Sequence, residues 1–593
     1  MSLRVKSLYI RLSLLAGWLA GQSAGVVCWA PSVWAQPSGA VERFYQDQDV
    51  REQLDRLRPG DSKQRQPLIE GLPSNYKKNK QQPVEGPQQP EGPVIKGVEL
   101  DGAELFPNAQ RQLLVNRFVG LPADATTLQA LQAAVSSYYV DNKLLAQAGA
   151  PRLGRDGVVR VPVVEARLGR VRIASNKAPI SNTWAIDTVL ASIGLGREMR
   201  LDKLESALLK LNDLGGVRAN ANLEPGVMPG TTDVVLTLVA EKQILAEINL
   251  NNHATQYTGP YQAQLSVSMG SLLKRGEVFV FNSAYSGNID WYGSRRLAGN
   301  ANVPMTAGGL NLVGSYSWSD YRLLQQFTPD NYVGAFAAGT IGLNHVLWRR
   351  PKRNLSVQLI GEVDQFNDRV ATYGEYSNRT NWIGRLSLMG DSQDKAFNGI
   401  GLNSGMLTLS VGNLSKNAIG ESAFDAITMA SSGAWGKLNL LYNRYQTFKQ
   451  SKWTVELFAQ AQGAFKNLDS AEKMSLGWPN GVRAYPPGEA AGDSGLAGQF
   501  TARYQLAKNV VLKGFVDGGY IWRWTNWFNS AQNPPSLGLW GPGLGVEWGT
   551  RGDVLVSVDL AFPLGNNPST LTGLDADGTN PDMRVWVSVR KWL

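Results

Sequence analysis

LGWPNGVRAYPPGEAAGDSGLAGQF, residues 476–500, is a stretch rich in glycine and proline inside a long region of strand-like patterns. Closely spaced Gly and Pro residues disfavour a regular helix or strand, so this composition predicts a long loop over residues 470–500. The loop carries an arginine, Arg483, within the segment Val482–Tyr485. If this loop folds into the protein, the guanidinium of Arg483 needs a carboxylate or another acceptor as a partner. The position of that partner depends on the surrounding fold.

A candidate partner is the carboxylate of Asp517 in the next strand pattern, FVDGG, residues 515–519. Alternate residues of a strand share a face, so Phe515 and Asp517 lie together, opposite the apolar residues of that strand. If the apolar face points outward, Arg483 can hold Asp517 inside through a bidentate, charge-assisted pair. The alternative is an exposed loop arginine and an inner-wall carboxylate that never meet.

The surrounding region, residues 243–593, shows strand patterns of period two. In residues 453–462, for example, Trp453, Val455 and Leu457 alternate with Thr454 and Glu456. A soluble β-sandwich gives the same alternation. A membrane barrel is favoured because the strands are long enough to cross a bilayer and aromatic residues collect near their ends, and the region's length accommodates about 16 strands.

The composition excludes several classes of function. The net charge of +9 over 593 residues includes no cluster of Lys and Arg dense enough to predict a nucleic-acid partner. The single cysteine, Cys28, lies in the leader, and two scattered histidines, His253 and His345, are too few for a His-based metal site. His253 follows a predicted strand near a turn, where we expect it to be solvated or at a strand end. We predict no cofactor, no metal and no catalytic residue.

The N-terminus, residues 1–35, has the charged and apolar parts of a secretory signal peptide and a small-residue cleavage site at Val33–Ala35. Residues 36–60 predict an amphipathic helix with Val50, Leu54 and Leu57 on its apolar face. That helix is either loosely attached to a surface or a plug for a polar pore. We find no apolar run long enough for a transmembrane helix after the leader.

Residues 61–93 are rich in Pro, Gln, Lys and Glu, which predicts an extended, mobile linker. Two small α+β units follow, at 94–168 and 169–242. Both begin with a strand pattern, continue with two helix patterns and end in strands. Two such units in tandem indicate the domain organisation more specifically than either unit alone.

With these parts in order, the chain resembles the two-partner secretion transporters (TpsB) of the Omp85 superfamily, which export haemolysins, filamentous haemagglutinins and contact-dependent toxins. The segment Val482-Arg483-Ala484-Tyr485, followed by Gly492-Asp493-Ser494-Gly495, is similar to the family's VRG[YF]…GDxG loop motif. Phe515-Val516-Asp517-Gly518-Gly519 is similar to its F-x-D-x-G barrel motif.

The resemblance implies a 16-stranded transmembrane β-barrel in the outer membrane of a Gram-negative cell, preceded by two periplasmic POTRA domains and an N-terminal plug helix. It implies that Arg483 pairs with Asp517. It also implies a non-enzymatic monomer that lies in lipid, is inserted by the barrel assembly machinery and exports a large TpsA-like exoprotein recognised by the POTRA domains. The plug helix and the in-folded loop would gate the pore.

Two departures and two alternatives remain. Ala484 replaces the motif glycine, so a positive φ there would be strained, and the chain ends in Lys591-Trp592-Leu593 rather than in Phe. An Omp85-type assembly factor would use the same loop and partner, although two POTRA units and a plug helix argue against it. A general porin would not explain the periplasmic units and the tether.

Overall fold

The computed structural model describes most of the chain after the N-terminal region. The described residues are 69–70, 92–287, 292–324, 332–370, 375–417, 419–478, 481–528, 534–569 and 573–593. The predicted signal peptide and plug helix, with Val50, Leu54 and Leu57, lie outside them. Among the described residues, no helix combines the length and the apolar character needed to cross a membrane.

The first α+β domain packs two helices on one small sheet. Its elements are β2 (Gly97–Asp101), α1 (Asn108–Val115), α2 (Ala125–Asp141), β3 (Ala146–Ala148), β4 (Arg152–Leu153) and β5 (Val158–Glu165). The side chain of Asp124 caps α2 by accepting the Thr127 N–H at 2.7 Å. Leu131, Val135 and Tyr139, spaced on one face of that helix, are fully buried against the sheet, and this spacing of apolar residues explains the packing.

The second α+β domain repeats this arrangement. Its elements are β6 (Arg167–Asn176), α3 (Asn182–Ile193), α4 (Leu201–Asn212), β7 (Val217–Pro225) and β8 (Thr231–Ala240). Strands β6 and β8 are parallel, and β7 pairs antiparallel with β8 at the other side of the sheet. Leu204, Leu208 and Leu211 of α4 are fully buried in the core between helices and sheet.

A short strand from the Pro-rich segment completes this second sheet. Strand β1 (Ile69–Glu70) pairs in parallel with Ala221 and Asn222 of β7, and Ile69 is buried in the domain core. The sequence predicted an extended, mobile linker over residues 61–93; Ile69 and Glu70 are extended, but they are fixed in the sheet. The edge of β7 offers unpaired backbone groups and space for one apolar side chain, which a composition-based argument cannot detect.

A buried carboxylate ties strands β6 and β8 together. Asp233 accepts the backbone N–H of Arg170 at 2.7 Å and lies 3.2 Å from the Arg170 guanidinium and 3.6 Å from that of Arg172. The backbone hydrogen bond from Arg170 and then its guanidinium lower the pKa of Asp233 below its ordinary value. The charged carboxylate is therefore the form that stabilises the folded domain.

We expect Asp233→Asn to destabilise this domain by about 1–3 kcal/mol, because the buried acceptor and its ion pair are weakened. A group with a lowered pKa stabilises above its unfolded-state value, and this stabilisation is lost as the pH falls through the folded-state value. Thermal unfolding of the detergent-solubilised protein should thus separate wild type from Asp233→Asn at pH 7. The difference should shrink under acid conditions below the ordinary Asp pKa. An equal difference at all pH values would contradict this assignment.

After β8, the described residues include 16 antiparallel strands that form a closed barrel. Its first half contains β9 (Ile244–Asn251), β10 (Gln262–Gly270), β11 (Val278–Gly287), β12 (Gly293–Pro304), β13 (Leu310–Arg322), β14 (Tyr332–Arg350), β15 (Arg353–Val370) and β16 (Glu375–Asp394). Its second half contains β17 (Gly399–Lys416), β18 (Gly433–Phe448), β19 (Trp453–Ala464), β22 (Ser494–Ala507), β23 (Val510–Trp522), β24 (Ser536–Gly549), β25 (Val554–Ala561) and β26 (Arg584–Trp592). The predicted barrel of about 16 antiparallel strands is confirmed.

The seam of the barrel, where its first and last strands meet, is short. Glu247–Asn251 of β9 pair with Ser588–Trp592 of β26, whereas β14 and β15 pair over nearly their full lengths of 19 and 18 residues. Because the barrel is closed, its sheet has no free edge, as a barrel in a bilayer requires.

The two faces of the barrel wall differ as the alternation predicted. Large apolar residues such as Leu265, Trp382 and Trp540 are exposed on the outer face. The inner face carries paired charges, for example Lys513 with Asp559 at 2.5 Å. Apolar contact with lipid outside and polar side chains inside are typical of outer-membrane barrels.

The second α+β domain contacts the barrel at the C-terminal end of α4. Arg349 on β14 forms a bidentate pair with Asp213, with N–O distances of 2.6 and 2.7 Å. Lys210 donates to the Gly308 carbonyl, in the turn between β12 and β13, at 2.9 Å. These contacts place the domain at the end of the barrel that carries the β12–β13 and β14–β15 turns.

Candidate functional site: the in-folded loop and its anchor

The in-folded loop, residues 465–493, connects β19 to β22, and its described residues, 465–478 and 481–493, lie inside the barrel. Two short strands, β20 (Met474–Ser475) and β21 (Ala491–Gly492), pair with each other near its base. The sequence predicted a loop over 470–500, but Ser494 already begins barrel strand β22. That part of the prediction was wrong because Gly495 and Gly498 are tolerated within a strand, and Gly495 lies where a side chain would contact Ile521 of β23.

Arg483 at the tip of this loop, Gly481–Tyr485, binds Asp517 on the inner face of β23. Its Nε lies 2.7 Å from Asp517 Oδ2 and its Nη2 lies 2.7 Å from Oδ1, the geometry of a bidentate pair. The backbone N–H of Arg483 also donates to Oδ2 at 3.0 Å. The carboxylate of Asp517 is fully buried, so it depends on these three donors. We call this pair the latch.

Side chains of the neighbouring strands complete the environment of Arg483. Its Nη2 also donates to the Thr501 hydroxyl of β22 at 2.9 Å, and its guanidinium lies 3.5 Å above the centre of the Phe515 ring. Gln499 of β22 donates to the Gly481 carbonyl at 2.6 Å. Charge-assisted hydrogen bonds and cation–π contact both strengthen away from water, so the buried latch binds the loop strongly.

The F-x-D-x-G motif of β23 has one function per residue. Phe515, Asp517 and Gly519 are two residues apart and therefore face the lumen together. Phe515 stacks on Arg483, Asp517 pairs with it, and Gly519 leaves space for the loop, since a Cβ there would lie 2.6 Å from a methyl of Leu476.

Apolar residues of the tip pack into the wall around the latch. Val482, Ala484 and Tyr485 are buried in a cluster with residues of β22–β25. Ala484 is absent from the described non-glycine residues that have positive φ, so its replacement of the motif glycine causes no backbone strain there. Its methyl group instead faces Gly541 of β24, where a Cβ would lie only 2.5 Å away.

Gly541 is the register partner of Asp517 on β24, and its contact with the loop was not predicted from the sequence. Nothing in the glycine-rich pattern 541–545 indicated that a loop methyl group would pack against it. The signal was the departure at Ala484, because an extra methyl group in a buried loop requires space elsewhere.

Asp493 of the GDxG segment holds the base of the loop together. Its carboxylate accepts the backbone N–H groups of Leu468 at 3.0 Å and Thr525 at 2.8 Å, and it pairs with Lys473 at 2.9 Å. Gly492 has no room for a side chain, since a Cβ would lie 2.5 Å from the Trp522 carbonyl oxygen.

An aromatic group links the loop to the seam of the barrel. Trp586 of β26 donates its indole N–H to the Arg483 carbonyl at 2.7 Å. His253, just after β9, packs edge-on against Trp478 and Trp586, with centroid distances of 5.7 and 5.8 Å. Sequence analysis placed His253 in solvent or at a strand end. It does follow a strand, where it is partly exposed and contacts two indole rings from distant parts of the chain.

The loop is held in the lumen by non-covalent contacts. The loop crosses the lumen between the inner walls, and the contacts of its tip are hydrogen bonds, ion pairs and packing. All of them can be broken and re-formed without covalent change.

Comparison with known proteins identifies similar chains. The model of the family described as haemolysin secretion/activation protein ShlB/FhaC/HecB matches residues 230–548. The heme/hemopexin transporter protein HuxB of Haemophilus influenzae strain 86-028NP is 23% identical over 477 residues, which cover 77% of this chain and 80% of HuxB. The outer membrane transporter CdiB of Dickeya dadantii is 21% identical over 433 residues, covering 70% of this chain and 73% of that protein.

Solved structures share the fold. CdiB from Escherichia coli has a TM-score of 0.69 at 19% identity, covering 94% of this chain and all of that one. BamA from Haemophilus ducreyi lacking POTRA domains 1–3 has a TM-score of 0.50 at 11% identity, covering 84% of this chain and 99% of that one. The barrel and the α+β domains of this chain thus have the fold of these solved structures.

Proposed function

Because this chain belongs to the ShlB/FhaC/HecB family of haemolysin secretion/activation proteins, we propose that its barrel opens for one dedicated partner exoprotein when the in-folded loop is released. The chain is an outer-membrane transporter that exports a partner exoprotein from the periplasm. The observation that carries the gating proposal is the buried Arg483–Asp517 latch, which seats the loop in the lumen through a pair that can dissociate.

The exoprotein is proposed to be large and rich in β structure, of the haemolysin, adhesin or contact-dependent toxin type. HuxB is named as a heme/hemopexin transporter, and a haem-binding exoprotein is a further cargo class consistent with this relationship. Recognition is assigned to the POTRA domains, since extended segments can add to strand edges through main-chain hydrogen bonds. The predicted plug helix would be a second barrier in the pore.

The relatives are transporters rather than enzymes, and we propose a translocating role without a catalytic step. We also propose that the barrel works as a monomer, surrounded by outer-membrane lipid, after insertion by the barrel assembly machinery. The family relationship favours export over the assembly-factor alternative, although BamA shares the fold.

Deleting the gene in the native host should remove one large exoprotein from the culture medium and leave other outer-membrane barrels at normal levels. Mass spectrometry of medium and outer membranes from wild type and deletion would measure both. If many barrels decreased together, the protein would be an assembly factor and the export assignment would fail.

A further inference from the structure

A second part of the in-folded loop contacts a wall of the barrel distant from the latch. We call this part, Leu468–Glu472, the first arm because it precedes the tip in the chain. It contains a 3-10 turn at Ser470–Glu472, and Asp469 caps the turn by accepting the Ala471 N–H at 3.1 Å. The turn directs two carboxylates, Asp469 and Glu472, toward the inner faces of β16–β18.

Asp469 contacts cations from two of these strands. Its Oδ1 lies 2.6 Å from Arg379 Nη1 of β16, and its Oδ2 lies 3.9 Å from Lys416 Nζ of β17. The three side chains are only 4–6% exposed, so little water competes for these interactions.

Glu472 repeats the pattern one strand further. Its Oε2 lies 2.7 Å from Lys437 Nζ of β18, and the same ammonium donates to the Glu472 carbonyl oxygen at 2.9 Å. Arg385 of β16 is 4.0 Å from Oε1. Both carboxylates of the arm therefore lie between cations of the wall.

Apolar contacts add to these pairs. Leu468 is buried with Ile383, Leu414 and Trp435, and Ala471 is buried with Phe336 and Phe366. The arm thus packs across β14–β18, whereas the latch lies on β22–β26, so the loop is held on two walls.

Three cations that face the arm also have carboxylate partners in the wall or in the helix that follows β17. Arg379 pairs with Asp368 at 2.9 Å, and Arg385 pairs with Glu362 at 2.5 Å. Lys416 pairs at 2.8 Å with Asp425, which belongs to α5 (Ile419–Ile427). Departure of the arm would leave these cations compensated, which lowers the cost of releasing it.

We propose that Asp469 and Glu472 form a second anchor of the in-folded loop, independent of the Arg483–Asp517 latch, and that opening the pore for a polypeptide requires release of both. The requirement for opening rests on the proposed export function. The anchor itself concerns only the position of the loop and can be tested without an exoprotein.

The mature chain offers a clean test, because the single cysteine of the sequence, Cys28, lies in the predicted signal peptide. Single reporters Ala471→Cys in the arm and Val482→Cys in the tip occupy buried positions. Labelling by a maleimide would be measured in outer membranes for three backgrounds. These are Arg483→Ala, the isosteric pair Asp469→Asn with Glu472→Gln, and the control Glu456→Gln, an inner-wall carboxylate paired with Arg503.

We expect Arg483→Ala to raise the labelling rate of the tip reporter by about tenfold or more and to leave the arm reporter protected. The carboxylate pair should do the reverse, and Glu456→Gln should change neither. If Arg483→Ala exposed both reporters equally, or if the carboxylate pair left the arm reporter protected, the second anchor would be refuted.

Two controls separate this result from other failures. Heat-modifiable migration on gels shows whether each variant is a folded barrel, and only folded variants count. In planar bilayers, the variant that combines Asp469→Asn, Glu472→Gln and Arg483→Ala should have a higher resting conductance than either change alone. A combined variant with no further increase in conductance would contradict independent anchors. If the export assignment were wrong, the gene-deletion experiment would show it, and the labelling result would still test the second anchor.

Discussion

Replacing Arg483 by alanine should reduce the exoprotein in the medium by about tenfold or more, because export needs a loop that is seated at rest and is released by the partner. Removal of one partner of a buried ion pair costs about 3–5 kcal/mol and would leave the loop unseated before the exoprotein arrives. Asp517 is fully buried and would keep only the backbone N–H of residue 483 among its three donors from that residue. The stacking on Phe515 and the bond to Thr501 would be lost as well. The loop tip would then leave its position, although the barrel, which is closed by its own strands, should still assemble.

The measurement is quantitative mass spectrometry of the medium, with the amount of transporter in the outer membrane as the reference. Arg483→Lys keeps the charge but cannot form the bidentate pair, so it should give an intermediate loss. Arg503→Lys is a matched control, because Arg503 also binds carboxylates of the inner wall, Glu456 and Glu547, but belongs to β22 and not to the loop. Normal export by Arg483→Ala at normal membrane levels would show that the latch is dispensable.

The second large effect should come from Gly541, which contacts the loop but carries no functional group. In Gly541→Val the new side chain would begin 2.5 Å from the Ala484 methyl group and 2.8 Å from the Phe562 carbonyl oxygen. Overpacking of this kind costs about 1–3 kcal/mol, and the loop is the part that can move, so we expect a several-fold to tenfold loss of export. The same secretion assay would measure it.

A pair of exchanges tests whether the clash with Ala484 is the cause. Gly541→Ala should impair export less than Gly541→Val, and adding Ala484→Gly should restore part of the loss. Gly514→Ala is the control, since a Cβ there meets only a methyl of Leu544 at 3.9 Å. If Ala484→Gly gave no recovery, the contact with the Phe562 carbonyl would account for the effect instead.

The sequence was sufficient to predict the barrel, the tandem α+β domains and the family, because each depends on local periodicity or on short motifs. The alternation in β23 predicts that Asp517 lies on the inner face, and the resemblance of both motifs to those of the family implied that Arg483 pairs with it. These features need no knowledge of which strands lie beside one another.

The features that sequence analysis missed depend on contacts between distant segments. The first arm meets Arg379, which is 90 residues away from Asp469 in the chain. Trp586 and Arg483 are 103 residues apart. Ile69 belongs to a Pro-rich segment whose composition predicts a mobile chain. Its pairing with β7 depends on the free edge of that distant strand.

The short seam between β9 and β26 has a thermodynamic consequence. Trp586 of β26 and His253, next to β9, both contact the loop, so seating the loop and closing the barrel share interactions. Coupling free energies are reciprocal, so the closed seam stabilises the seated loop by the same free energy by which the seated loop stabilises the closed seam. The transporter is therefore most resistant to separation of its first and last strands in the resting state, when nothing is passing through it.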